Sequence, residues 1–326
     1  MRFPTLILLA LAGCTGGKPD DTSVGDTETA DTHTDTATAP LDPATVPLNG
    51  ACALADDHGG FNVTVLEDAT TVAGTVADGV VPATVLEELV REGDCAVLRR
   101  NNPYCEPTCP PGETCAFDGT CVPYPANQGL GTVTLDGLVV PVVMEPVFPG
   151  NTYYDTSLPH PAYTPGELLT LSMPGGVYGP LELYGVGVEP LDLPDVVWVI
   201  EGGVDYVLDW PAPAGAVVRS EIAIQISIDQ HGVSPSVLRC VFADDGQATI
   251  PGAVLSALVD VGVTGFPAAS IERRTVDQGA AGAGCLDFVV TSPHVPTVDV
   301  VGSTPCVSDN ECPDDQTCNV ELQICE

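Results

Sequence analysis

The sequence predicts an all-β protein: an immunoglobulin-like β-sandwich with small disulfide-rich modules, preceded by a disordered stalk. Of the 326 residues, 44% are hydrophobic but only 5% are aromatic, and 34 Gly and 31 Pro interrupt the apolar runs. Runs of β-branched residues punctuated by Gly and Pro favour short strands and turns over helices. The clearest strand is Ile222–Asp229, where an isoleucine at every second position faces one side.

Residues 1–13 have the layout of a secretory signal peptide. Arg2 precedes an apolar run, Phe3–Leu11, which is far shorter than the ~20 residues that a membrane-spanning helix needs. The run ends in Leu-Ala-Gly-Cys14, which resembles a bacterial lipobox. The resemblance implies cleavage before Cys14, lipidation of its thiol and acylation of the new amino terminus. Thr15, a non-acidic residue after the cysteine, implies transfer to the outer membrane.

Residues 14–48 form a low-complexity segment rich in Asp and Thr. A segment with few apolar residues and many like charges cannot offset the entropy cost of folding, and its charges repel one another. We therefore expect a solvated tether. Its acids do not follow a calcium-loop pattern with a central Gly and a terminal Glu.

Residues 49–104 are expected to form a small β segment. Phe61–Leu66 alternates and Thr71–Val76 is β-branched, so both are predicted strands, whereas Val85–Arg91 is predicted to form one or two helical turns. Cys52 and Cys95 bracket the segment, and we expect them to be joined.

Two cysteine-rich modules have similar cysteine spacing. The first, at residues 105–125, carries Cys105, Cys109, Cys115 and Cys121; the second, at residues 304–326, carries Cys306, Cys312, Cys318 and Cys325. Each is too short to form a core without cross-links. Zinc is the alternative, but it usually requires closely spaced cysteine pairs in a reducing compartment. Disulfides are favoured, and each module has three possible connectivities.

Residues 126–303 are predicted to form the main sandwich domain. Short apolar runs alternate with turn signals along this segment, as is typical of a sandwich or barrel. One short helix is expected at Pro251–Val259, with proline in its first turn. Cys240 and Cys285 both fall in predicted strands and are expected to bridge them. The sequence does not show whether this domain shares a core with residues 49–104.

The net charge limits the possible binding partners, and the odd number of cysteines is consistent with one that does not form a disulfide. The chain has 45 acidic and 9 basic residues, a formal net charge of −36, so it lacks the basic footprint that nucleic-acid binding needs. Anionic headgroups would repel it, so membrane attachment is expected through the lipid at the amino terminus. There are 13 cysteines, and lipidation of Cys14 leaves twelve to pair in an oxidising compartment.

No motif for enzyme chemistry stands out, and no cofactor is expected. The hydrolase Gly-x-Ser-x-Gly elbow, the His-Glu-x-x-His pattern and a phosphate-binding loop are missing from the sequence. Asp57–His58 and the Asp229/His231 pair are interpreted as turn residues. The weak calcium candidates are acids in turns, where carboxylates are common without a metal: Asp192, Asp195, Asp244 and Asp245. Five tyrosines are expected to pack, with sugar stacking as the alternative: Tyr153, Tyr154, Tyr163, Tyr178 and Tyr184.

From Cys105 onward the chain is similar to cysteine-rich bacterial lipoproteins that have no assigned activity. The residues that carry the resemblance are Cys115-Ala-Phe-Asp-Gly-Thr-Cys121, Ile228-Asp-Gln-His-Gly232, Arg239-Cys240 and Cys306-Val-Ser-Asp-Asn-Glu-Cys312. No functional residue transfers. We expect a non-enzymatic, lipid-anchored binding or structural module of the cell envelope, engaging an envelope protein or polysaccharide. The alternatives are a calcium-dependent carbohydrate-binding adhesin and a secreted hydrolase with loop carboxylates.

Overall fold

The computed structural model describes residues 41–215, 217–228 and 236–326. Within these ranges there are 21 strands and a single α-helix, with 3₁₀ turns at Pro82–Thr84, Gly176–Tyr178 and Asp309–Glu311. In chain order the elements are β1 (Asp57–Val65), β2 (Thr70–Val76), β3 (Leu86–Glu92), β4 (Cys95–Arg100), β5 (Glu113–Cys115), β6 (Cys121–Pro123), β7 (Val133–Asp136), β8 (Val142–Met144), β9 (Tyr153–Asp155), β10 (Leu168–Met173), β11 (Leu181–Val186), β12 (Val197–Ile200), β13 (Tyr206–Asp209), β14 (Glu221–Ser227), β15 (Ser236–Ala243), β16 (Gln247–Ile250), α1 (Gly252–Asp260), β17 (Ala268–Ala281), β18 (Gly284–His294), β19 (Thr297–Val300), β20 (Cys318–Asn319) and β21 (Ile324–Cys325).

A nine-stranded sheet organises the body. Its strand order is β3-β4-β15-β14-β17-β18-β1-β2-β9. All neighbours are antiparallel except β1 and β18, which run parallel with Phe61 opposite Phe288. Strands β1 to β4 come from residues 49–104, and most of the others come from residues 126–303. The two segments therefore share one sheet, which answers the question that the sequence left open.

The first core lies between one half of this sheet and a four-stranded layer. The layer has the order β11-β10-β7-β8, and its buried leucines pack with Phe61 and Phe288 in one apolar cluster. Close approach explains one glycine here: a Cβ on Gly74 would lie 2.2 Å from the Phe61 ring. Two facing β-layers enclose an apolar core, so the prediction of an all-β sandwich is confirmed.

The second core lies on the other half of the same sheet. The isoleucines of β14 and the residue after it, Ile222, Ile224, Ile226 and Ile228, are all at most 2% exposed, as their period of two predicts. Two-stranded ribbons, β12–β19 and β13–β16, contribute Trp198 and Trp210 to this core, and helix α1 adds three buried residues. The helix expected at Pro251–Val259 is thus confirmed with a one-residue shift.

The helical turns predicted at Val85–Arg91 are wrong. Leu86–Glu92 is instead strand β3, the edge of the main sheet, paired antiparallel with β4. The apolar residues Leu86, Leu89 and Val90 have helix-like spacing. The segment nevertheless forms a strand, because its backbone N–H and C=O groups pair with those of β4, which would otherwise be an open sheet edge. Local pattern is overridden by a tertiary contact.

Two of the predicted disulfide pairings are also wrong. Cys52 is bonded to Cys285 and Cys95 to Cys240, rather than Cys52 to Cys95 and Cys240 to Cys285. The reason is the strand order. Strand β4 lies beside β15, which sets Cys95 directly opposite Cys240, whereas the segment before β1 runs along β18. All twelve cysteines from Cys52 to Cys325 are nevertheless paired, so the prediction of disulfides is confirmed.

Several predictions fall outside the described residues: the signal peptide, Cys14, the tether up to residue 40, and Asp229 with His231. None of the helices in the described part of the chain has the length and apolar character required to cross a membrane.

Candidate binding surface

The first disulfide-rich segment, module 1 (residues 105–125), is a small hairpin held by two cross-links. Cys105 is bonded to Cys115 and Cys109 to Cys121, the first cysteine to the third and the second to the fourth. Strands β5 and β6 pair between the cross-links. Asp118 Oδ1 accepts hydrogen bonds from the backbone N–H (2.9 Å) and hydroxyl (2.6 Å) of Thr120, which fixes the hairpin turn.

Module 2 (residues 304–326) repeats this arrangement. Cys306 is bonded to Cys318 and Cys312 to Cys325, around the β20–β21 hairpin. Both modules contain Cys-Pro-x3-Thr-Cys, starting at Cys109 and Cys312. Three sulfurs in each lie within 4.8 Å of one another. Because they are bonded in disulfides, they are not the thiolates that zinc requires.

Module 1 carries a concentration of exposed aromatic rings. Tyr104 is 75% exposed, Phe117 49% and Tyr124 54%. Tyr104 lies directly before Cys105, the first residue of module 1, and Phe117 lies two residues after Cys115. The disulfide between these two cysteines holds their own Cα atoms 5.6 Å apart. The Tyr124 N–H donates to the Gly112 carbonyl at 3.2 Å, which fixes the third residue at the base of the same hairpin. We call these three residues the module 1 aromatics.

Two exposed arginines lie just before module 1. Arg99 and Arg100 end β4, and no ion pair or side-chain hydrogen bond of either is found in residues 41–215, 217–228 and 236–326. Glu87 lies opposite Arg99 in β3 and offsets one of the two positive charges. Their guanidinium groups are donors for a ligand that needs no net charge.

The tyrosines singled out from the sequence mostly pack, as expected. Tyr153 is 1% exposed and accepts a hydrogen bond from the Leu130 N–H at 2.7 Å, and Tyr163 is 4% exposed. Tyr178 donates to the Ala77 carbonyl at 2.6 Å. The Tyr184 hydroxyl donates a hydrogen bond to the Glu182 carboxylate. Of the five tyrosines, Tyr154 alone is exposed.

Asp244 belongs to a buried ion pair and is not an available calcium ligand. Its Oδ2 accepts from Arg273 Nε at 2.6 Å and from the Ser220 hydroxyl at 2.6 Å, and its Oδ1 accepts from Trp210 Nε1 at 2.8 Å. Arg273 Nη2 adds a bond to Oδ1 at 3.1 Å. Asp245, Asp192 and Asp195 join no cluster of three metal-ligating side chains among the described residues. The calcium hypothesis thus gains no site.

A second group of acids lies beside the Cys52–Cys285 bond. Ligand atoms of Cys52, Asp57 and Asp287 lie within 4.8 Å of one another. Burial raises the pKa of the Asp287 carboxyl to about 6. The hydrogen bond that the Cys52 N–H donates to this carboxylate, at 2.8 Å, lowers the pKa, and the nearby negative charge of Asp57 raises it. Asp57 Oδ1 accepts from the Gly59 N–H at 2.8 Å, but Asp57 and His58 are the first two residues of β1, so their interpretation as turn residues is wrong.

The cavity beside β11 does not contain a pair of carboxylates. A cavity of about 20 Å³ near the end of β11 is lined by one carboxylate, Glu189, and by Arg219. Both Glu189 oxygens accept from the Ala214 N–H, at 3.0 and 3.1 Å. A glycosidase site needs two carboxylates across one cleft, and the walls of this cavity supply only one.

The module 1 aromatics and the two arginines were missed by the sequence analysis. The signal was present: Arg99-Arg100 and Tyr104 stand within six residues, directly before Cys105, in a chain with only 9 basic residues.

Comparison with known proteins adds little. No family model matches the chain, and no curated protein matches it. Among solved structures, the chain is similar to the crystal structure of chicken CNTN1 FN1–FN3 domains at 8% identity, covering 78% of this chain and 73% of that chain, with a TM-score of 0.18. Such a low TM-score supports no conclusion about fold or function.

Proposed function

We propose that this protein is a lipid-anchored component of the cell envelope that acts as a non-enzymatic binding module. In this proposal Cys14 carries the lipid, the Asp/Thr-rich segment is a tether, and the folded body presents a ligand-binding surface outside the outer membrane bilayer. Several acyl chains on one terminus exceed the two signals that stable anchoring needs.

The observation that supports a binding role is the set of module 1 aromatics. Large rings supply much contact area at low entropy cost, and they dominate binding surfaces when they are held rigidly. Here two disulfides fix a hairpin of about twenty residues that exposes Phe117 and Tyr124, and Tyr104 lies directly before its first cysteine. Elsewhere in the described chain, most of the tyrosines are buried or hydrogen-bonded.

The ligand we propose is an uncharged polysaccharide chain. A net charge of −36 disfavours anionic partners, while Arg99 and Arg100 disfavour a cationic one at this position. Exposed rings offer apolar faces to sugar rings, and the free guanidinium donors suit hydroxyl oxygens. The surface is open and not a deep pocket, which suits an extended polymer.

Binding is tested with the purified folded chain on immobilised neutral and anionic polysaccharides. The triple variant Tyr104→Ala, Phe117→Ala, Tyr124→Ala is expected to lose at least about tenfold in affinity, which corresponds to about 1.4 kcal/mol. Tyr154→Ala is the matched control, because Tyr154 is 57% exposed but lies on β9. Equal loss in both variants, or preference for the anionic polymers, would refute the assignment.

Anchoring is tested separately in cells. Cys14→Ser is expected to abolish incorporation of labelled palmitate and to release the protein from the membrane fraction. Membrane retention of the Cys14→Ser variant would contradict the lipid anchor while leaving the binding assay valid.

A further inference from the structure

The chain enters the folded body through an irregular segment, residues 41–56, which we call the strap. It precedes β1 and contains no strand. Arg219 holds its first part: Nη1 donates to the Pro43 carbonyl at 3.1 Å, and Nη2 donates to the Val46 carbonyl at 3.0 Å. Val46 is 3% exposed, so this part of the strap is packed into the body.

A second attachment joins the strap to both β-layers. Asp277 on β17 is 2% exposed, and its Oδ1 accepts from the Asn49 backbone N–H at 2.9 Å and from Asn49 Nδ2 at 2.8 Å. Its Oδ2 accepts from the Tyr184 N–H of β11 at 2.9 Å. One buried carboxylate therefore connects the strap, the main sheet and the four-stranded layer. Hydrogen bonds to a charged group are worth more than neutral ones.

The third attachment is covalent. Cys52 is bonded to Cys285 at the start of β18, and its N–H donates to Asp287 Oδ1 at 2.8 Å. Strand β18 is an interior strand of the nine-stranded sheet, paired with β17 along eleven residue pairs and with β1 on its other side. A load that reaches Cys285 is thus shared by the longest strand pairing among the described residues.

We propose that the strap is a force clamp, which transmits tension from the preceding chain through Cys52–Cys285 into β18 and spares β1 and β2. This inference rests on the proposed lipid anchor, which is the source of tension in the cell. The clamp itself is a property of the folded chain and is measurable without the lipid. Without the covalent path, the same tension would act directly on β1 and would shear it from β18.

Pulling single molecules between the amino and carboxyl termini tests the proposal. In the oxidised protein, residues 52–285 cannot extend, and loss of the strap releases only about 4 nm of chain. In Cys52→Ser/Cys285→Ser, the Cys95–Cys240 bond still closes a ring, so about 90 residues, or about 30 nm, become extensible. Full reduction of the wild type is expected to release about 80 nm from the 233-residue span.

The hydrogen-bonded attachments are tested with point variants in the same experiment. Arg219→Ala and Asp277→Asn are expected to lower the force at which the 4 nm step occurs. Arg91→Ala is the matched control. Among the described residues, the Arg91 side chain forms an ion pair with Glu88 alone, on the surface of the edge strand β3. An unchanged step in Arg219→Ala, or a 30 nm extension in the oxidised wild type, would overturn the clamp. Neither result bears on whether Cys14 is lipidated.

Discussion

Replacing Asp244 with alanine is expected to destabilise the protein by about 3–5 kcal/mol, because it leaves the Arg273 guanidinium buried without a counter-charge. The side chains of Arg273 and Asp244 are 2% and 0% exposed. The substitution also removes the acceptors of Trp210 Nε1 and of the Ser220 hydroxyl. Each donor left unsatisfied costs about 1–3 kcal/mol in isolation, and the costs overlap because the groups share one acceptor.

Urea unfolding followed by tryptophan fluorescence is the appropriate assay. Both tryptophans, Trp198 and Trp210, lie in the second core, and Trp210 contacts Asp244 directly. The midpoint is expected to fall while the slope stays constant, which indicates a loss of stability and not a change in the unfolded state. Asp245→Ala is the control. Asp245 is the exposed neighbour of Asp244, and its side chain makes a single hydrogen bond among the described residues, accepted from the Gln247 N–H at 3.5 Å.

The double variant Asp244→Leu/Arg273→Met separates charge burial from packing. Replacing a buried ion pair by apolar residues of similar volume is often neutral or stabilising. We therefore expect the double variant to be more stable than Asp244→Ala alone. A cost below about 1 kcal/mol for Asp244→Ala would refute the reasoning, since the guanidinium would then have found water or another partner.

Three further predictions follow from particular contacts. The folded-state pKa of Asp287, about 6, lies above the ordinary 3.8, so the folded state holds this proton more tightly and the group's contribution to stability falls as pH rises from about 4 to 6. In urea unfolding, the free energy of unfolding of Asp287→Asn is expected to exceed that of the wild type by up to about 1 kcal/mol above pH 6, a value that allows for the partial exposure of the group. Below pH 4 the two proteins are expected to be equally stable. A difference that stays constant across pH would contradict this prediction. Gly60→Ala is expected to lower the free energy of unfolding by at least about 2 kcal/mol, because the added Cβ would lie 1.9 Å from the Asp287 carbonyl oxygen. Gly79→Ala is the control: its Cβ would lie 3.6 Å from the nearest atom of Pro125, so the unfolding midpoint is expected to change little. Millimolar calcium is expected to leave the melting temperature unchanged within about 1 °C, and a rise of several degrees would restore the adhesin hypothesis.

Local patterns in the sequence predicted most individual strands. The strands predicted at Phe61–Leu66 and Thr71–Val76 correspond to β1 and β2, and the alternating isoleucines from Ile222 identify the buried face of β14. In each case the period of the apolar residues and a bounding turn carry enough information. Leu86–Glu92 failed because its apolar spacing fits a helix and only the neighbour β4 makes it a strand.

The arrangement of the strands was not predictable in the same way. That β18 lies parallel to β1, and that β4 lies beside β15, depends on contacts between residues far apart in the chain. The pairings of Cys52 and Cys95 depend on those contacts and were wrong for that reason. The module 1 aromatics were missed for a different reason, since a sequence does not show which tyrosines a short hairpin leaves outside.

The Cys52–Cys285 bond has a consequence for biogenesis. If the chain crosses the membrane from its amino end, Cys52 is the first of the twelve disulfide-bonded cysteines to emerge. The next cysteine to follow is Cys95 and not the native partner Cys285, which lies 233 residues after Cys52. An oxidase acting on thiols as they emerge would join Cys52 to Cys95, and that product must be exchanged before β4 can lie beside β15. The two modules present the same difficulty over a shorter range: their partners are 10 to 13 residues apart, but the second cysteine of each module emerges before the third, which is the native partner of the first. The yield of native protein should therefore depend on disulfide isomerase activity, and that dependence should weaken when Cys52 and Cys285 are both replaced by serine.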